Sequence, residues 1–329
     1  MPTSSYLPVS TTAAASPIVT LAELDDVAAH YAERGLEGSK NTQRAYKTDL
    51  RSFHAFCAER KLTPLPAVEK TVTGYIAQLA EDGKKYATIQ RHIAAVAKMH
   101  HLAGVQTPTT GKMIQTVLSG IARTKGRRQK QAPAFTTEQL RNAIEAMDLT
   151  TPTGLRDRAL LLVGFAGAFR RSELVALDIE NVQTKPDGLL VSLARSKTNQ
   201  FGADEYKMLF YGSLAMFCPI RSLQEWIQCL GRTTGPLFVS IRWAKKNQPA
   251  SPTQQRLSDW SVNELVKKHL GKTFSAHSLR ASFVTISVMR GANNKAIRNQ
   301  TGQKTDAMIE RYTRLNDVSR HNSAQNLGL

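Results

Sequence analysis

The chain has 329 residues, of which 41% are hydrophobic, and this is enough for two domains of ordinary size that each have a core. Lys and Arg number 44 against 26 for Asp and Glu, so the formal charge of +18 predicts a polyanionic partner. Three scattered cysteines without a C-x-x-C pair exclude a disulfide framework and argue against zinc. No apolar run reaches the roughly 20 residues of a membrane span, so we expect a cytoplasmic protein with no membrane partner.

The N-terminal part of the chain is expected to be a helical bundle. Residues 1–20 are uncharged and rich in Ser, Thr, Ala and Pro, which is typical of a disordered tail. Over residues 21–122 apolar side chains recur at helical spacing, for example at Tyr46, Leu50 and Phe53. This pattern predicts four or five helices and no strand.

A basic segment separates this bundle from the rest of the chain. Residues 123–133 end in an Ala-Pro pair that discourages a helix, and we place the domain boundary there. A solvated linker and a linker lying along a phosphate backbone are both consistent with this composition, and the positive charge of both flanking domains favours the second. The basic residues of the segment are Arg123, Lys125, Arg127, Arg128 and Lys130.

The second domain, residues 134–329, is expected to be mainly α-helical with a small antiparallel β-sheet. The apolar run at 160–165 predicts a buried helix. Alternation at 189–193, followed by an apolar group at 208–211, predicts a β-hairpin. After Pro219 the sequence is predicted to be helical again.

Two common chemistries lack their motifs. Gly271-Lys272-Thr273 looks like the end of a phosphate-binding loop, but Val266 occupies the place of its first glycine, which disfavours a nucleotide-hydrolysing motor. The serines lack the G-x-S-x-G motif of a hydrolase.

A set of basic residues and one tyrosine offers a different chemistry. Taken singly, each residue has an ordinary structural explanation, because Arg170 could pair with Glu173 on the surface and a hairpin lysine is usually solvated. The combination in this order is specific. In chain order the residues are Arg170 after the buried helix, Lys197 on the predicted hairpin, His277 and Arg280 three residues apart, and Tyr312 nine residues after Gln303.

The tyrosine site-specific recombinases share a pattern of an arginine, a hairpin lysine, H-x-x-R, and a glycine whose following residue lies nine positions before a tyrosine. The sequence resembles this family from about residue 39 to its end, and its layout is most similar to the phage integrase and Cre-like members. The resemblance implies that Glu173 orients Arg170 or His277. The catalytic set that it implies is Arg170, Lys197, His277, Arg280, Gln303 and Tyr312.

The chemistry of DNA strand transfer explains these residue types. The pentacoordinate phosphorus gains negative charge on its equatorial oxygens, which Arg170 and Arg280 would stabilise. Tyr312 is the expected nucleophile, and His277 the group that helps to deprotonate it. Lys197 is the expected acid for the departing 5′-oxygen. Because the bond energy is kept in a phosphotyrosine, we expect no cofactor and no metal.

One position departs from the family. Where the family has His or Trp after the glycine, this sequence has Gln303. Glutamine can donate a hydrogen bond to a phosphate oxygen, but it carries no charge and moves no proton. We expect activity to survive this change.

The resemblance further implies that both domains close around double-stranded DNA as a C-shaped clamp. Helices near 41–58 and 84–101 are candidates for the major groove, and a charged solvent face is the alternative. The implied assembly on DNA is a homotetramer bound to an inverted-repeat site. The free protein is expected to be a monomer or a weak dimer. We also expect the protein to be nucleoid-associated. The segment after Tyr312 could dock into a neighbouring protomer or pack in cis. The DNA-binding candidates are Lys40, Gln43, Arg44, Lys47, Gln90 and Arg91 in the helices and Arg123, Lys125, Arg127 and Arg128 in the linker.

Three alternatives remain beside a recombinase. A type IB topoisomerase or a telomere resolvase would share the arginines, lysine and tyrosine. A catalytically idle DNA-binding regulator would explain the charge and the helices, and Gln303 is the feature in its favour. The ordered set of catalytic residue types favours the recombinase.

Overall fold

The chain divides into two compact units, Met1–Lys130 and Gln131–Leu329. The predicted tail over 1–20 lies outside the described residues, and the domain limits of the sequence analysis stay predictions. The computed structural model describes residues 40–127, 131–193, 205–244 and 248–310.

The described part of the chain is mainly helical with two small antiparallel sheets, so the predicted fold class is confirmed. The helices of the first unit are α1 (Lys40–Glu59), α2 (Glu69–Glu81), α3 (Tyr86–Leu102) and α4 (Lys112–Lys125). Those of the second unit are α5 (Thr137–Glu145), α6 (Pro152–Ala166), α7 (Arg171–Ala176), α8 (Pro219–Leu230), α9 (Asp259–Leu270), α10 (Ala276–Met289) and α11 (Asn294–Thr301). The strands are β1 (Val182–Lys185), β2 (Gly188–Leu193), β3 (Glu205–Phe210), β4 (Val239–Arg242) and β5 (Ser251–Arg256).

The first unit is built on the apolar faces of its helices. Phe53, Ile76, Ile89 and Ile114 contribute one fully buried side chain each from α1 to α4. Burial of such a side chain stabilises a fold by about 1.5–3 kcal/mol. No strand occurs in its described residues, as the sequence predicts.

Glu69 fastens the N-terminus of α4 to α2. Its Oε1 accepts hydrogen bonds from the backbone N–H groups of Met113 at 2.8 Å and Ile114 at 3.4 Å. A Cβ atom at Gly111 would lie 2.1 Å from this oxygen, so only glycine allows the carboxylate to approach. The free N–H groups of a helix start are thereby satisfied.

The core of the second unit surrounds α6, whose burial the apolar run at 160–165 predicts. Leu160, Leu161 and Val163 are inaccessible to solvent. On the neighbouring α8, Trp226 is also fully buried and donates its indole N–H to the Leu237 carbonyl oxygen at 2.8 Å.

The predicted hairpin is present and belongs to a larger sheet. β2 and β3 pair antiparallel with Val191 opposite Lys207, and β1 adds a third strand beside β2. The prediction of helix throughout the region after Pro219 is wrong, because β4 and β5 form a second sheet. β5 contains Pro252 and polar residues without apolar alternation, so its sequence lacks the usual strand signal.

The basic segment begins inside a helix. Arg123 and Lys125 lie in the last turn of α4, which ends at Gly126 with φ at 73°. Arg123 and Lys125 are therefore helical residues. The guanidinium of Arg127 lies 5.5 Å from the centre of the Tyr86 ring.

Candidate active site

A tight turn after α6 introduces the first predicted catalytic residue. Ala168 has φ at 46°, in the left-handed region, and a Cβ at Gly167 would lie 2.1 Å from the Phe169 ring. The turn is closed by a hydrogen bond from the Phe169 N–H to the Gly164 carbonyl oxygen at 3.2 Å. Arg170 follows and caps α7, so its backbone is fixed by the turn and the helix together.

Glu173 holds Arg170 through two contacts. The guanidinium Nη1 pairs with Glu173 Oε1, and the Arg170 N–H donates to Oε2 at 2.9 Å. The Arg170 side chain is 23% exposed and that of Glu173 only 3%. The ordinary pairing that the sequence suggests therefore exists, and the Arg170 side chain stays partly exposed.

Arg280 approaches the same turn from α10. It is buried, and its Nη1 donates to the Ala168 carbonyl oxygen at 3.0 Å. Both predicted arginines therefore depend on this turn, Arg170 because it follows directly in the chain and Arg280 through its hydrogen bond. A change in that turn would displace both of them.

His277 lies in the first turn of α10, one helical turn before Arg280, and its side chain reaches the surface. Partial desolvation of the ring, and then the positive charges of Arg280 and Arg170, lower its pKa from the ordinary value of 6.5. The imidazole is consequently neutral at pH 7, the form that can accept a proton.

Lys207 is a further cation at this site that the sequence analysis misses. It projects inward from β3, is 4% exposed, and donates from Nζ to the Gln300 carbonyl oxygen at 2.6 Å. Burial is the main cause that lowers its pKa to about 8, and the charges of Arg280 and Arg170 add to the effect. A lysine at an inward position of an alternating strand is the signal that could have found it.

Gln303 follows the end of α11. Gly302 takes a left-handed conformation with φ at 63° as the C-cap, and the Gln303 N–H donates to the Thr301 hydroxyl oxygen at 3.3 Å. Thr301 is fully buried, and its hydroxyl donates to the Ile297 carbonyl oxygen of the preceding helical turn at 2.8 Å. The position of Gln303 is thus set by the end of α11.

Other predicted residues fall beyond what the structure describes. Lys197 and Tyr312, the expected acid and nucleophile, lie outside the described residues, as do Arg128 and the side chain of Lys40. Their roles rest on the sequence pattern.

The predicted DNA-contacting residues of the first unit have different surroundings. Gln43, Arg44 and Lys47 are exposed along α1. On α3, Gln90 donates to the Tyr86 hydroxyl at 3.3 Å. Arg91 is 47% exposed, with Nε and Nη2 bonded to the Asp49 carboxylate.

Asp49 connects this surface to a buried polar network. It is 2% exposed, with Oδ1 at 3.2 Å from His92 Nε2, while the Tyr75 hydroxyl lies 2.7 Å from His92 Nδ1. Burial lowers the pKa of His92, and burial also raises that of Tyr75 to about 12. Both rings are therefore uncharged at neutral pH, and the two contacts of the Asp49 side chain orient Arg91.

Among the described residues, no three His, Cys, Asp or Glu side chains converge as metal ligands would. Over the same residues, no helix combines the length and apolar character that crossing a membrane requires.

The chain matches known proteins along most of its length. A model of the phage integrase family matches residues 133–318, and a model of the N-terminal SAM-like domain of phage integrases matches residues 31–105. An integrase/recombinase xerD homolog of Selenomonas ruminantium is 34% identical over 303 residues, which are 89% of this chain and 87% of that protein. The chain belongs to the phage integrase family. Members of this family are tyrosine recombinases, enzymes that cut and rejoin DNA strands.

Solved structures of recombinases share the fold of this chain. XerH site-specific recombinase in a post-cleavage complex with a palindromic difH substrate has a TM-score of 0.63 and 17% identity, covering 94% of this chain and 84% of that one. A lambda integrase tetramer bound to a Holliday junction has a TM-score of 0.54 and 14% identity, covering 83% and 72%.

Proposed function

We propose that this chain is a site-specific recombinase that exchanges strands of duplex DNA through a 3′-phosphotyrosine on Tyr312. The observation that carries the proposal is the grouping of Arg170 and Arg280 around one turn, with His277 close enough for both charges to lower its pKa. Two fixed guanidinium groups suit the equatorial oxygens of a pentacoordinate phosphate, on which negative charge accumulates.

The reaction then balances without an external energy source. His277 accepts the proton of the Tyr312 hydroxyl, and the tyrosine oxygen attacks phosphorus. The bond between phosphorus and the 5′-oxygen breaks, and Lys197 supplies the proton that makes the leaving group a 5′-hydroxyl. A 5′-hydroxyl from the second strand then attacks the phosphotyrosine, which restores a phosphodiester and the free tyrosine.

The finer assembly belongs to the same proposal. Four protomers would synapse two inverted-repeat sites, and this is supported by the palindromic substrate of XerH and the lambda integrase tetramer on a Holliday junction. Exposed Gln43, Arg44 and Lys47 on α1 are suited to the DNA surface. A protein with this partner would be nucleoid-associated.

Covalent capture tests the function and identifies the target together. The protein is mixed with fragmented genomic DNA of its source and quenched with denaturant, and the DNA bound to protein is sequenced. Tyr312→Phe is the negative variant, and Tyr211→Phe, at a tyrosine 50% exposed on the surface, is the matched control. Tyr312→Phe should bind DNA with unchanged affinity and form no adduct.

The pattern of adducts decides among the alternatives. Adducts at one inverted-repeat sequence in the wild type and in Tyr211→Phe, absent in Tyr312→Phe, support the recombinase. Adducts at many unrelated sequences point to a topoisomerase. No adducts with intact DNA binding would make the chain a DNA-binding regulator.

A further inference from the structure

A buried lysine lies among the active-site arginines without a role in the reaction described above. Lys207 projects from β3 into the interior of the second unit, where only 4% of it is exposed. Lysine is rarely buried, because removing its ammonium from water is costly unless compensating interactions are present. Its strand neighbour Val191 and the next inward residue, Leu209, are apolar. An apolar side chain would therefore be the ordinary occupant of this position.

The contacts of Lys207 connect three elements of the site. Its Nζ donates to the Gln300 carbonyl oxygen at 2.6 Å and lies 5.1 Å from the centre of the Phe169 ring, directly before Arg170. The Gln300 side-chain amide in turn donates to the carbonyl oxygens of Ala166 and Met208, at 2.8 Å each. Lys207 and Gln300 thereby join β3, the end of α6 and α11.

Charged groups on the surrounding elements shift the pKa of this ammonium in opposite directions. Glu173 of α7 and Glu205 of β3 favour its positive form, whereas Arg280 of α10 and Arg170 oppose it. Burial is the largest influence, and the balance leaves the pKa at about 8. At pH 7 the site therefore holds a third cation beside the two arginines.

We propose that Lys207 is a positioning residue of this active site, whose ammonium fastens α11 to β3 and strengthens the positive field of Arg170 and Arg280. The inference rests on the proposed phosphoryl transfer. Because Lys207 is buried, it cannot contact DNA directly. It acts through the elements that its hydrogen bond holds together, β3 and α11, and through its charge. Removing it should slow cleavage and leave the affinity for DNA unchanged.

Three variants separate these effects. Lys207→Met removes the charge and the bond to Gln300, and Lys207→Arg keeps a charge that does not titrate below pH 12. Lys185→Met removes an exposed lysine from β1 of the same sheet and is the control for a lost charge. Circular dichroism establishes that each variant is folded.

Three measurements are made on each full-length protein. The first is the affinity for fragmented genomic DNA, and the second is the initial rate of covalent adduct formation on that DNA between pH 6.5 and 9.5. The third is hydrogen–deuterium exchange of the α11 amides, residues 294–301, which does not depend on any reaction.

We expect Lys207→Met to form adducts about 10-fold more slowly at pH 7, with DNA affinity within twofold of wild type and faster exchange in α11. The ratio of the wild-type rate to the Lys207→Met rate should fall above pH 8, where the wild-type lysine loses its charge. Lys207→Arg should restore most of the rate, with no such fall. Lys185→Met should match the wild type.

Two results would overturn the proposal. A rate ratio that is constant with pH would reduce Lys207 to a packing residue, and unchanged exchange in α11 would refute the fastening. Failure of the wild type itself to form adducts would refute the proposed recombinase function instead, and the exchange of α11 would still decide whether Lys207 fastens that helix.

Discussion

Lys207 also makes the stability of the second unit depend on pH. Its pKa falls from 10.5 in a solvated chain to about 8 in the folded protein, which corresponds to about 3 kcal/mol of preference against the charged form. The folded pKa lies below the unfolded one, so between pH 8 and 10.5 the unfolded chain binds more protons. Stability therefore rises with pH across this window, and the contribution of the lysine is least favourable below pH 8.

The effect is isolated by comparing the wild type with Lys207→Met. All other titrating groups are common to the two proteins, so their effects cancel in the comparison. Between pH 7 and 9.5 the free energy of unfolding of the wild type should therefore rise by about 2 kcal/mol relative to that of Lys207→Met. Urea unfolding followed by tryptophan fluorescence suits this test, because Trp226, Trp243 and Trp260 all lie in the second unit. A difference that stays constant within about 0.5 kcal/mol over this range would refute the assigned pKa.

Three further changes test other parts of the structure. Asp49→Ala leaves the Arg91 guanidinium and a buried histidine without their carboxylate, and should lower the free energy of unfolding by roughly 3 kcal/mol in urea titrations; a loss below about 1 kcal/mol would show that the network is weak. Trp226→Phe removes the bond to the Leu237 carbonyl oxygen and should cost about 1–3 kcal/mol by the same measurement, whereas an unchanged midpoint would contradict it. Gln303→Ala should slow adduct formation without abolishing it, and a wild-type rate would remove Gln303 from the site.

The elements that the sequence predicts correctly are those with a local apolar pattern. The run at 160–165 has no polar interruption and becomes the C-terminal half of α6, where residues 160–164 are buried. The alternation at 189–193 becomes β2, because every second side chain faces the core. The hairpin of β4 and β5 is not predicted from sequence, since β5 contains a proline and lacks the apolar alternation of a strand.

For the active site, local spacing predicted the residues but not how they are held. His277 and Arg280 are three residues apart, and a helix places them on one side, as expected. From sequence alone, Arg170 is either a surface arginine paired with Glu173 or a phosphate-binding group that Glu173 orients. The pairing is present, Glu173 is buried and the Arg170 side chain is partly exposed, so the pair holds the arginine in one position at the site.

The same reasoning applies to Arg91 in the first unit. As a residue of α3 it is predicted to contact DNA, with a charged solvent face as the alternative. Its guanidinium is bonded at two points to buried Asp49 of α1, with 47% of the side chain still exposed. Such an arginine loses little conformational entropy when it binds an anion. Its carboxylate partner cancels part of its charge, so Arg91 would contribute orientation more than electrostatic attraction to any DNA bound at this surface.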